Sequence, residues 1–310
     1  MPPPMVVAVV GPTATGKSDL ALDLAELLGG EVVNADASQL YRGMDIGTAK
    51  VPPSQRRGIP HHQLDVLGVT DEASLAAYQA AARADIAAVQ ARGAHPILTG
   101  GSGLYVRAAL DKLDIPPTDP VLRARLEEEA ELVGTSRLFE RLREADPAAA
   151  AAIEPRNTRR IVRALEVIEL TGRPFSASMP TRQLEQPAVI LGLRLDRPTL
   201  DDRIQRRVVR MWADGLLEEV RELEGRGLRE GRTASRALGY AQALAQLDGT
   251  MTQAQAQEQT ATLTRRFARR QESWFSPDPR IQWIDAQSNG RRDRAQALVE
   301  AAIRENDRHD

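Results

Sequence analysis

Two periods alternate along the first third of the chain. Two short strand-like stretches, the apolar run MVVAVV (Met5 to Val10) and the mixed EVVNAD (Glu31 to Asp36), flank SDLALDLAELL (Ser18 to Leu28), whose apolar positions recur at helical spacing and stop at Gly29-Gly30. DEASLAAYQAAARADIAAVQARG (Asp71 to Gly93) follows as a long helix with a glycine stop. HPILTGGSGLY (His95 to Tyr105) then reads as a strand entering a glycine-rich turn. Strand, helix, strand, helix, strand predicts an α/β fold on a parallel, doubly wound sheet. Ligands of such sheets sit beyond the carboxyl ends of the strands. The turns that open there are GPTATGKS (Gly11 to Ser18), the end of EVVNAD at Asp36, and Gly100-Gly101-Ser102-Gly103.

The pattern changes after the proline-rich IPPTDP (Ile115 to Pro120). A charged, helical stretch with no strand runs to about Gly172. Strand periodicity returns in QPAVILGLRLD (Gln186 to Asp196) and again in IQWID (Ile281 to Asp285), and the tail after Asn289 reads as a short polar helix or frayed end. This predicts a P-loop NTPase-like core from residues 1–115 and 187–310, interrupted by a helical insertion over 116–186.

Composition narrows the chemistry. The chain has 310 residues, 42% hydrophobic and 27% charged, as a soluble globular protein does. It contains no cysteine, which excludes disulfides, thiolate metal sites and cysteine nucleophiles. The N-terminus lacks the pattern of a secretory signal, and no apolar run approaches the ~20 residues of a bilayer span. A cytoplasmic protein is expected. A net charge of −2 argues against nucleic acid only if charge is evenly spread. Lys17, Lys50 and Lys112 are the only lysines, so nearly all positive charge is arginine. What matters is whether those arginines share a face.

Gly11, Pro12, Thr13, Ala14, Thr15, Gly16, Lys17 and Ser18 read G-x-x-x-x-G-K-S after a strand and before a helix. In this context glycines let backbone N–H groups converge on a phosphate, and the helix adds its positive end. The lysine binds outer phosphates and the Ser hydroxyl holds Mg²⁺. Asp36, at the end of the second strand-like stretch, faces the same region and can accept a proton from a nucleophile, or equally cap a turn. His61 and His62 follow Pro60 in an expected loop, and their adjacency makes poor metal geometry. Arg156, Arg159, Arg160 and Arg163 fall on one helical face, Arg203, Arg206, Arg207 and Arg210 on another, and Arg265, Arg266, Arg269 and Arg270 form a related stripe. A solvated face paired with Glu explains any one of these. Three of them beside a phosphate-binding core point to a larger polyanion. The residues alone leave two classes open, a small-molecule kinase and an RNA-acting enzyme.

The order of motifs goes further. GPTATGKS, NADASQLYRGMDIGTAK (Asn34 to Lys50), IPHHQLD (Ile59 to Asp65), GGSGLY, RRIVRALEV (Arg159 to Val167), LDRPTLDDRIQRRVVRMWADGLLEEV (Leu195 to Val220), ALGY (Ala237 to Tyr240) and TRRFARRQESWF (Thr264 to Phe275) resemble the bacterial tRNA dimethylallyltransferases over nearly the whole chain. The resemblance implies transfer of a dimethylallyl group from dimethylallyl diphosphate to N6 of adenosine 37, beside the tRNA anticodon. It assigns catalytic roles to Asp36, Ser102 and Lys17. Donor binding falls to the P-loop residues with Arg203 and Arg207, and Mg²⁺ to Ser18. Contacts to the anticodon stem-loop fall to Asp36, Ala37, Ser38, Gln39, Ser102, Arg123, Arg159, Arg160, Ile161, Val162 and Arg163. Nothing in the sequence demands a dimer, and a monomer is expected.

Three positions depart from the family pattern: Ser102 replaces a frequent Thr, Ala37 replaces the Ser that follows the Asp, and Arg269 replaces a common Lys. Two further readings compete: an adenylate prenyltransferase, which needs no arginine-rich insertion, and an RNA-binding P-loop switch.

Overall fold

The computed structural model describes residues 3–178 and 182–308. Its strands are β1 (Val6–Val10), β2 (Glu31–Asn34), β3 (His61–His62), β4 (Pro96–Gly100), β5 (Ala188–Arg194) and β6 (Ile281–Asp285). They form one six-stranded sheet in the order β3-β2-β4-β1-β5-β6, every pairing parallel. β1 is apolar and buried at all five positions, as a central strand covered on both faces must be.

The chain divides into two compact units, Met1–Leu110 with Leu184–Asp310, and Asp111–Gln183. The first holds the sheet with α1 (Lys17–Leu28), α2 (Leu75–Ala91), α3 (Gly103–Leu110), α8 (Arg197–Ala213), α9 (Leu216–Glu224), α10 (Tyr240–Leu247), α11 (Gln253–Phe275) and α12 (Arg291–Asn306). The second is α4 (Pro120–Val133), α5 (Thr135–Ala145), α6 (Pro147–Ala152) and α7 (Thr158–Thr171), closed over Leu126, Leu138, Leu142, Ile161 and Leu165. Residues 179–181 of the expected insertion lie outside the described residues.

Three local expectations shift. The helix expected from Asp71 starts at Leu75, because the Ser74 hydroxyl accepts from Ala77 N and caps it, while Asp71 closes the preceding turn on Gly68 N. His61 and His62 are an edge strand on β2 rather than a loop. Their rings go to different partners, Ile59 O for His61 and Glu31 for His62. The tail is a full helix of 16 residues that buries Ala295 and Val299 in the core shared with Leu20 and Leu24 of α1.

Candidate active site

The P-loop leaves β1 through Gly11, whose φ of 132° and close approach to β5 both demand glycine: a Cβ there would stand 2.4 Å from Leu193 O. Thr15 is buried and its hydroxyl donates to Pro12 O at 2.8 Å, so its side chain shapes the loop from within. Ala14 adopts φ 63° without being glycine, a strained conformation of the kind that collects at ligand-binding turns. Gly16 (φ 87°) then starts α1. Thr13, Ala14, Gly16, Lys17 and Ser18 line a cleft of about 870 Å³ at the carboxyl ends of the strands.

Lys17 Nζ folds back to donate to Pro12 O at 2.6 Å. Loss of water around its ammonium pushes its pKa down to about 8, against the pull of the Asp36 carboxylate and with a further push from the Arg207 guanidinium. Arg207 reaches across from α8, donating to Thr13 Oγ1 and to Thr48 O, each at 3.3 Å. Desolvation lowers its pKa too, again opposed by Asp36. No carboxylate pairs with Lys17 or Arg207 among the described residues. Arg203 and Arg210 line the same cleft, as does Arg206, which is paired with Asp202. Two desolvated cations without a bonded anion are costly to the protein alone, and a polyanion entering the cleft relieves that cost.

Asp36 caps a turn and also lines the cleft. Its carboxylate accepts from Ser38 N at 3.0 Å and caps the short turn that follows β2, and it lines the cleft opposite Lys17. Asn34 fixes it on both sides, accepting from Asp36 N at 2.9 Å and donating to Asp36 O at 3.0 Å. Ser102 Oγ accepts from Ala37 N at 3.2 Å, so the hydroxyl at position 102 ties the glycine-rich turn to the Asp36 segment. Gln39, on the same turn, lines the cleft and donates to Thr48 O.

Sequence reasoning missed two braces. Gln271, in α11 and only 4% exposed, accepts from Thr13 N at 2.8 Å and donates to Gly101 O at 2.9 Å. One amide thus joins the P-loop to the turn carrying Ser102. Glu219 accepts from the N–H groups of Asp45, Ile46 and Gly47 and from the Tyr240 hydroxyl at 2.6 Å. Tyr240 also lies against Gly47 so closely that a Cβ there would meet its ring at 2.4 Å. These contacts explain why YRGMDIGTAK, GLLEEV and ALGY occur in one chain. Lys50, one of the three lysines, is buried between Asp45 and Asp65 at 2.6 Å each and holds that same loop.

The IPP transferase family model matches residues 39–278. The tRNA dimethylallyltransferase of Kineococcus radiotolerans is 62% identical over 287 residues, 91% of this chain and 90% of that protein. The one from Streptomyces coelicolor is 61% identical over 283 residues, 91% of each. The chain belongs to the IPP transferase family. Solved structures agree. The full-length tRNA isopentenylpyrophosphate transferase of Bacillus halodurans superposes with a TM-score of 0.70 at 36% identity, over 97% of this chain and 99% of that one. A eukaryotic dimethylallyltransferase solved acting on tRNA gives 0.82 at 26% identity, over 98% and 79%.

Within this IPP transferase, the contacts expected from the helical unit separate into two groups. Ile161 and Val162 are 0% and 2% exposed, so their side chains belong to the helical core and cannot reach an RNA. Arg123 and Arg163 both grip Glu166, a carboxylate with no exposed surface, at 2.8 Å. Arg163 also donates to Pro116 O and Pro117 O. Arg159 and Arg160 remain exposed with no ion pair among the described residues. The Arg265 stripe is likewise divided: Arg265 bonds Gln205 and Glu258, Arg270 lies over the Phe267 ring, and Arg266 and Arg269 are exposed.

The residues fit a divalent cation brought with its substrate. Ser18 lines the cleft in the first turn of α1, its hydroxyl without a hydrogen bond among the described residues, and Asp36 lies in the same cleft. No group of three or more His, Asp or Glu side chains could cage a metal among the described residues. That is the donor set of a Mg²⁺ site completed by phosphate oxygens and water.

Proposed function

We propose that this chain transfers a dimethylallyl group from dimethylallyl diphosphate to N6 of adenosine 37 in tRNA and releases diphosphate. The observation that carries the reading is the cleft itself, with two unpaired, desolvated cations at one side and the Asp36 carboxylate facing them. A neutral substrate leaves those cations uncompensated. A diphosphate compensates them, and more so as charge grows on it. The relatives at about 60% identity are named for this reaction.

In the transfer, the allylic C–O bond breaks and its electron pair leaves with the diphosphate, held by the P-loop amides, Lys17, Arg203 and Arg207. Ser18 would hold a Mg²⁺ ion brought with the diphosphate, and such an ion would supply further charge neutralisation there. The N6 lone pair forms the new C–N bond, and its surplus proton passes to the Asp36 carboxylate, which Ser38 N holds while Asn34 holds the Asp36 main chain. Ser102 and Gln271 fix the neighbouring turn. The adenine has to leave its stack to enter such a cleft, and Arg159 and Arg160 supply phosphate contacts for the anticodon stem-loop. No helix of the described residues is long and apolar enough to cross a membrane, and the reading implies a monomer working in the cytoplasm, where tRNA is.

The test is incubation of the protein with labelled dimethylallyl diphosphate and unmodified tRNA, beside a matched reaction with ATP. Label on the adenosine next to the anticodon, with ATP intact, is the expected result. Phosphate transferred from ATP with no label on RNA would replace this reading with that of a kinase.

A further inference from the structure

A second cleft, of about 460 Å³, lies in the α/β unit where α1, α8 and the loop from β6 into α12 come together. Its charged walls are Asp23, Arg203, Arg291 and Arg292, and Ser288 and Asn289 add neutral polar groups. Arg203 lines this cleft and the P-loop cleft alike, so the two share a residue. Arg291 flanks the P-loop from the other direction: a Cβ built on Gly16 would lie 3.6 Å from its Nη1.

The charges here do not cancel. Arg291 spends one donor on Ala286 O at 3.2 Å, and no carboxylate pairs with Arg203, Arg291 or Arg292 among the described residues. Asp23, the one carboxylate on the wall, is engaged by Arg57 at 2.8 Å. Isolated surface arginines are ordinary, and each alone is adequately solvated. Three that converge on one concave volume repel one another unless an anion lies between them. Nor can α12 easily relax away, since Ala295 and Val299 are fully buried in the core.

We propose that this cleft is a second phosphoryl-binding site, beside the P-loop and distinct from it. Its ligand is a phosphate-class oxyanion, either free diphosphate or a backbone phosphate of bound RNA. The proposal does not depend on the transfer reaction, and its test does not read activity. Arg291 and Arg292 stand in the first turn of α12.

The experiment is calorimetric titration of the full chain with inorganic diphosphate, with and without Mg²⁺, on the Lys17→Ala background that weakens the P-loop cleft. The expected result is residual binding that drops at least tenfold when Arg292→Glu is added. Arg292 is exposed and makes no bond that the fold requires, so a melting curve matching the parent will confirm an intact fold. Arg291→Ala is the second variant, expected to act in the same direction. In parallel, unmodified tRNA is titrated across a salt series. A shallower salt slope in Arg292→Ala assigns the ligand to RNA phosphate, and an unchanged slope with lost diphosphate binding assigns it to the free anion. If both titrations match the parent in all three variants, the cleft is not a phosphoryl site.

Discussion

Arginines mark both the cleft of the α/β unit and helix α7 of the helical unit, yet the two sets differ electrically. In the cleft, among the described residues, Arg207 bonds only a hydroxyl and a carbonyl and Lys17 only a carbonyl, so neither forms an ion pair and the Asp36 carboxylate acts on both only through space. On α7, Arg163 joins Arg123 around the fully buried Glu166 and is spent on holding the unit together. Helical spacing treats the two sets as equals. The difference is whether a carboxylate is bonded to the guanidinium, and that decides which arginines are free to hold a phosphate.

The largest break in this comparison comes from the carboxylate that faces the cleft. Asp36→Ala should lower single-turnover transfer by about 10²–10⁴-fold while donor affinity stays near the parent value, as measured by rapid quench and by donor titration. A rate within about tenfold of the parent would remove Asp36 as the base.

Next is the carboxylate that serves the fold. Burial alone would raise the Glu166 pKa, but bonds from Arg123, Arg163 and Asp119 N outweigh it and hold the pKa below the usual 4.5. A depressed carboxylate stabilises the fold above its unfolded pKa, and this contribution is lost as pH falls through the folded value. Glu166→Gln should therefore cost about 1–3 kcal/mol at pH 7, by denaturant melts, with the gap from the parent closing at pH below 4.5. A gap that widens in acid would contradict the assignment.

A smaller effect is expected at the brace. Gln271→Leu leaves Thr13 N and Gly101 O without their partner and should lower kcat/KM for the donor by roughly tenfold. Steady-state kinetics at saturating tRNA would show it, and an unchanged value would mean that the P-loop holds its shape alone.

The smallest effect is expected at the exposed arginines. Arg160→Ala should reduce the slope of log affinity for tRNA against log salt by about 0.7 without moving the melting temperature, whereas Arg163→Ala should lower the melting temperature first.

What could be read from the sequence was what is local. The strand–glycine–helix pattern of the P-loop and Asp36 after β2 depend on neighbours a few residues away, and the parallel sheet follows from the alternation of strands and helices; each stands where the pattern put it. Gln271 was illegible because its partner Thr13 lies 258 residues off, and no periodicity encodes such a contact. The α12 helix was underread because its buried stripe amounts to Ala295 and Val299 on an otherwise charged segment. Arg163 had a cue in plain view, Glu166 one helical turn on. Ile161 and Val162 had one as well, since apolar residues on an amphipathic helix turn inward.

The measurement that tests the comparison most directly sets Arg207→Ala beside Arg163→Ala, with donor affinity and thermal stability measured on both. The cleft arginine should lose at least about tenfold in affinity for dimethylallyl diphosphate with little change in melting temperature, and the helical-unit arginine the reverse. Unchanged donor affinity in Arg207→Ala would contradict the claim that unpaired cations in the cleft hold the diphosphate.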